Sequence, residues 1–315
     1  MFELEDRWLR ETYVDCLIEA AKQDDRIVIL EADLSNAGGT KRFTKEFDGK
    51  RTVDVGIQEA NMIGVAAGMN AMGKIPFTHT FTPFATRRVA DQVTLSVSYA
   101  GLNVKMMGSD PGVTAEMNGG THMSMEDVSI MRNIPDMVIY EPVDSAQLKA
   151  IFPQILEHDG PVYIRLLRRN AVKIWEDGEE FTLGKGKKLR DGKDISIFCS
   201  GIEVAESMKA AEELAKEGIQ ADVINIHTIK PIDTEAVLES AKKTGAVVVA
   251  ENHSIIGGLG SAVAETLIEN HPVPMKRVGV TDHFGEVGKT DYLMDKYGLL
   301  ARDIIAAAKS GIAMK

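Results

Sequence analysis

The sequence predicts an α/β protein of two consecutive domains, each built on a mostly parallel sheet. Three observations lead there. Short apolar runs at residues 26–30, 52–55, 104–107, 137–140 and 162–166 alternate with longer stretches of helical period, the pattern of βαβ units. Between residues 173 and 193 that period is lost in Glu176-Asp177-Gly178-Glu179-Glu180 and Gly184-Lys185-Gly186-Lys187-Lys188, which predicts a linker. A second α/β pattern then begins, and 315 residues are enough for each half to bury its own core. The expected division is 1–172, a linker at 173–193, and 194–315.

Taken in order, the first run leads into Ala32-Asp33-Leu34-Ser35-Asn36, and the second into Gly56-Ile57-Gln58-Glu59. Beyond Glu59 the apolar positions Met62, Val65, Ala66 and Met69 fall on one helical face, while Gly64 and Gly68 leave room for another backbone. Phe81 and Phe84, three apart, predict a helix start that presents two rings to one flat group. After residues 104–107 comes a loop from Ser109 to Gly120, ending at His122. Parallel sheets bind ligands at the carboxyl ends of their strands, and Asp33, Glu59, this loop and Glu141 all follow strands. The second half reads as strands at 195–198, 221–225 and 246–250, with helices near 202–216 and 301–309.

A net charge of −11 argues against a nucleic-acid partner, which calls for a basic face. It leaves open an anionic substrate met by local arginines. Cys16 and Cys199 lie in different halves with no metal-type spacing, so neither a disulfide framework nor a zinc site is expected. The N-terminus has no basic and apolar leader pattern, and no run approaches the ~18 apolar residues of a membrane span. A cytoplasmic protein without membrane contact is the expectation.

Gly56-Ile57-Gln58-Glu59, Thr80-Phe81-Thr82-Pro83-Phe84-Ala85-Thr86-Arg87-Arg88, Gly119-Gly120-Thr121-His122 and Glu251-Asn252-His253-Ser254-Ile255-Ile256-Gly257-Gly258-Leu259-Gly260, in that order, resemble the transketolase family. The likeness runs from near residue 7 to near residue 300 and implies a pyrimidine-binding domain followed by a transketolase C-terminal domain. The cofactor implied is thiamine diphosphate, activated when a family glutamate hydrogen-bonds its aminopyrimidine ring and so promotes loss of the thiazolium C2 proton. Glu59 matches that glutamate. Phe81, Phe84 and Arg87 match residues packed around the ring, although the sequence leaves open whether Arg87 or Arg88 faces the pocket. Ile57, Asp33 and Leu34 match further cofactor contacts. His122 matches the histidine beside the reactive carbon that binds the donor sugar's hydroxyls. Arg7, Ser35 and Arg168 match positions that contact a sugar phosphate. His253 and Asp282-His283-Phe284-Gly285 carry no chemistry in this reading, although the glycine turn before residue 259 has the shape of an anion site.

Two positions depart from the family. Asn118 stands where an aspartate commonly contacts the donor's C2 hydroxyl, and Ser109 where a phosphate-contacting histidine is common; both bear on substrate choice. No Gly-Asp-Gly occurs, although the family binds the Mg²⁺-diphosphate through such a motif. The resemblance therefore implies a partner chain that supplies the diphosphate-binding domain and the Mg²⁺ ligands, in an α₂β₂ assembly. The expected activity is transfer of a two-carbon ketol unit from a ketose phosphate to an aldose phosphate. A variant for an unusual sugar phosphate, the β subunit of a 2-oxo-acid dehydrogenase, and a non-catalytic homologue stay open as alternatives.

Overall fold

The computed structural model describes residues 2–315, which divide into two compact units. The first comprises residues 3–111 and 130–180, and the second residues 112–129 and 181–315.

In the first unit the strands Thr52–Asp54, Ile27–Glu31, Ile75–Phe81, Lys105–Ser109, Val162–Leu166 and Val138–Tyr140 lie side by side in that order, all parallel. The central ones are buried along their whole length, as a sheet covered on both faces requires. One of them, Ile75–Phe81, was not foreseen. Pro76 and three polar residues interrupt its apolar pattern, and Phe81 closes this strand rather than opening a helix. Helix Glu59–Ala71 lays Met62, Ile63, Ala66 and Ala67 inward; Val65 and Met69 are only half-buried, and Gly64 and Gly68 face open space. A short antiparallel pair, Leu4–Trp8 with Asn170–Val172, also went unforeseen. Glu141 is spent on a buried ion pair with Arg165, at 2.5 Å, and so has a structural partner at its strand end.

In the second unit Met275–Val280, Val247–Ser254, Ile195–Cys199 and Ala221–Asn225 form a parallel sheet. Lys187–Arg190, inside the stretch read as linker, adds an antiparallel edge strand. Glu251 answers the question of the glycine turn. Its two carboxylate oxygens accept the backbone N–H groups of Leu259 and Gly260, at 2.6 and 2.9 Å, so the chain's own anion fills that helix N-terminus. Among the described residues, no helix is long and apolar enough to cross a membrane.

Candidate functional site

The carboxyl edge of the first sheet carries a continuous row of side chains. Glu59, at the first position of its helix, is buried, and its Oε1 accepts a hydrogen bond from Arg88 Nη1 at 2.8 Å. The Arg88 guanidinium lies over the Phe84 ring at 3.7 Å. Phe84 and Phe81 stand 6.2 Å apart between centroids, tilted by 55°. On the far side of Phe81 lies Arg168, 5.6 Å from that ring, and its Nε is 3.0 Å from Asp110.

Arg88, and not Arg87, is therefore the arginine of this cradle. Counting three residues from Phe84 fails because the Thr82–Ala85 helix ends at Thr86, whose φ of −124° and ψ of −86° turn the chain out of helical register. Arg87 is exposed.

Arg88 also shows what the cradle accepts: a flat, delocalised group stacked on Phe84 that donates N–H into Glu59. An aminopyrimidine ring stacks in the same way, and its ring nitrogen, once it shares the Glu59 proton, presents an N–H to that carboxylate, so the residues present fit that half of thiamine diphosphate. The Arg88 side chain is 41 % exposed, so it can leave the place to a ring.

At the other end of the row, Arg10 accompanies Arg168. Burial, and next the charge of Arg168, hold its guanidinium below the ordinary value, with Glu11 and Asp110 acting the other way. It donates to the Ala37 carbonyl and lies over the Trp8 ring at 4.2 Å. Arg7 stands elsewhere: it pairs at 2.6 Å with Asp15, which also holds Arg42. Sequence reasoning passed over Arg10, which stands in the first turn of Leu9–Gln23 with its side chain against Gly39. Ser109 is buried, and its carbonyl accepts from Thr82 Oγ1 at 2.7 Å. Asp110 adopts a φ of +58°, and its N–H donates to the Leu166 carbonyl.

Leu34, Phe81 and Ser109 line one narrow crevice together with Glu31 and His79. Asp33 is exposed, with its N–H on Asp54 Oδ1, which also takes the N–H of Gly56; one carboxylate thus braces the loops of Asp33 and Ile57. Ser35 opens a four-residue helix, and Ile57 is exposed. Asn118 and His122 belong to the second unit and are described with it below.

Sequence reasoning passed over Glu31 and His79. Tyr13 Oη and His79 Nε2 share a hydrogen bond of 2.9 Å, His79 Nδ1 is 3.5 Å from Glu31, and Thr40 donates to Glu31. Burial lowers His79 to about 4. Burial also pushes the Glu31 carboxyl up to about 8, with Thr40 opposing and the Asp54 charge adding. A carboxyl raised by folding stabilises the fold while protonated, so its contribution is complete below the ordinary value of 4.5 and is lost as pH rises through about 8. Glu31→Gln removes this titration. Relative to the native chain, it is expected to gain ~3 kcal/mol of stability on going from about pH 5 to about pH 9. Denaturant unfolding at both pH values checks this, and an equal offset at the two would contradict it.

Comparison with known proteins adds to the geometry. The family described as "Transketolase, pyrimidine binding domain" matches residues 7–173, and "Transketolase, C-terminal domain" matches residues 184–304. The chain is 69 % identical over 306 residues to the 6-deoxy-6-sulfo-D-fructose transketolase subunit SqwH of Clostridium sp. (strain MSTE9), covering 97 % of this chain and 95 % of that one. It is 43 % identical to a putative transketolase C-terminal section of Methanocaldococcus jannaschii, with 92 % of each chain covered. A solved structure titled as a split gene transketolase, inactive beta4 tetramer, superposes with a TM-score of 0.91 at 44 % identity, covering 98 % of this chain and 99 % of that one.

Proposed function

The chain belongs to the transketolase family; from that premise we propose that it is the C-terminal subunit of a split enzyme and transfers a two-carbon ketol unit with thiamine diphosphate, from a ketose whose far end carries a sulfonate. The observation that carries the cofactor assignment is the cradle of Glu59 and Phe84, with Arg88 in the position of a flat N–H donor. When bound, the cofactor supplies a nucleophilic thiazolium carbon. Glu59 holds the acid that engages the ring, Phe84 and Phe81 orient it, and the arginines bind the charged end of the sugar. His122 and Asn118 bind the sugar's hydroxyls. Mg²⁺ and the diphosphate fall to the N-terminal partner.

Charge supports the sulfonate. A phosphate monoester carries nearly two charges at neutral pH and a sulfonate one. Asp110, beside Arg168, cancels part of the cationic field, and Ser109 brings no imidazole. The 69 % identical relative bears the name of a sulfo-sugar enzyme, which supports the same choice. The paired Arg10 and Arg168 favour a second reading, a ketose phosphate, and so the two are tested together.

In the enzyme reconstituted with its partner, kcat/KM is expected to be about tenfold or more higher for 6-deoxy-6-sulfofructose than for fructose 6-phosphate. The reverse order would select the phosphate. Asn118→Asp, assayed on a panel of ketoses, is expected to change the ratios of kcat/KM by a factor of about 10, since a charged hydrogen bond to a hydroxyl is worth ~1–3 kcal/mol. Unchanged ratios would place Asn118 away from the sugar.

A further inference from the structure

The segment that bears Asn118 and His122, residues 112–129, is packed within the C-terminal unit. Gly112 enters at a φ of +53°, where a Cβ would stand 2.2 Å from Asn252 Oδ1, and that oxygen accepts the Val113 N–H at 2.9 Å. Val113, Ala115, Met123 and Met125 are buried with Val280, Leu293, Met294 and Leu299. The Met125 carbonyl accepts from the Ser254 N–H at 2.8 Å. Between these buried ends, Met117 and Asn118 are exposed and His122 is half-exposed, so the tip takes its shape from its two anchors.

Met123 anchors one end by apolar packing. Glu116 anchors the other. It is buried at φ +48° and ψ −121°, a conformation that a side-chain-bearing residue adopts only when its surroundings impose it. Its Oε1 accepts from Thr290 Oγ1 at 2.7 Å and from the Thr290 N–H at 3.3 Å, at the start of helix Thr290–Tyr297. A carboxylate there also meets the positive end of the helix. Gly119 and Gly120 pass so close to Val287 and Gly285 that a Cβ would stand 2.8 and 2.4 Å away. Thr121 Oγ1 and His122 Nδ1 share a hydrogen bond of 2.8 Å, which fixes the imidazole to the tip.

We propose that the C-terminal unit is the template that shapes the donor-binding tip, with Glu116, clasped by Thr290, as the positioning residue that sets Asn118 and His122. The inference rests on the reading of His122 as a donor contact. It gives the C-terminal unit a definite part in substrate recognition.

The test uses the chain reconstituted with its N-terminal partner, with 6-deoxy-6-sulfofructose and fructose 6-phosphate as donors. Thr290→Val keeps the shape and removes the hydroxyl; Thr290→Ser restores it. Thr290→Val is expected to raise the KM of the better donor about tenfold, to leave kcat within about twofold, and to leave the C2 proton exchange of bound cofactor at the native rate. Thr290→Ser is expected to return KM to the native value. His122→Ala is measured alongside. If His122→Ala raises KM and Thr290→Val does not, this inference falls alone. A loss of C2 exchange in Thr290→Val, or no recovery in Thr290→Ser, overturns it as well. If His122→Ala leaves KM unchanged, the donor-site reading falls and the inference with it.

Discussion

Replacing Glu59 by glutamine is expected to reduce turnover of the reconstituted enzyme about 10³-fold, with cofactor affinity changed by less than about tenfold. The amide has the carboxylate's shape and keeps an oxygen for Arg88, so the cradle persists. What it lacks is an acid to share a proton with the aminopyrimidine ring. The separation of these effects is the informative part: calorimetry reads affinity, and hydrogen–deuterium exchange at C2 of the bound cofactor reads activation before any sugar is present. Exchange at the native rate in Glu59→Gln would remove this residue from the mechanism.

The second large effect concerns assembly. The chain without its partner is expected to show no measurable ketol transfer and to bind Mg²⁺–thiamine diphosphate at least about 10³-fold more weakly than the complex. The cradle described here offers contacts to the ring alone. Three charge-assisted contacts to the diphosphate, at about 1.5 kcal/mol each, correspond to about 4.5 kcal/mol, or three orders of magnitude in Kd. The solved relative described as an inactive tetramer of the β chain is in keeping with this. Calorimetry on the single chain with and without Mg²⁺, then with the partner added, checks it; tight Mg²⁺-dependent binding by the single chain would overturn the split-site reading.

Much of this was legible from the residues alone. The strands Val162–Leu166 and Ala221–Asn225 stand where they were predicted, because a strand buried on both faces reads as a mostly apolar run even when single polar residues, Arg165 in one and Asp222 and Asn225 in the other, are buried within it. Glu59 was legible as the carboxylate that opens a helix after a strand, a local feature of a few neighbouring residues. Ile75–Phe81 was not. Its Thr78, His79 and Thr80 are buried polar residues, His79 with Tyr13 as a hydrogen-bond partner 66 positions away, and no local pattern announces such a pairing.

What the sequence by itself determined was the fold class, the family and the place of Glu59 at the start of a helix after a strand, since these rest on short-range periodicity and contiguous motifs. Which arginine lies beside Glu59 and which beside Arg168 was decided by the tertiary structure. Arg7 and Arg10, or Arg87 and Arg88, are chemically equal in a sequence, and only the chain around them separates them: Asp15 takes Arg7, Ala37 and the neighbourhood of Arg168 take Arg10, and the break at Thr86 leaves Arg88 on Phe84. The membership of residues 112–129 was likewise decided there, because the partners of that segment, Asn252 and Thr290, lie 139 and 174 positions along the chain from Val113 and Glu116. Periodicity reports the direction of a side chain relative to its own backbone, whereas the choice of a distant partner depends on packing that exists only once both elements are in place.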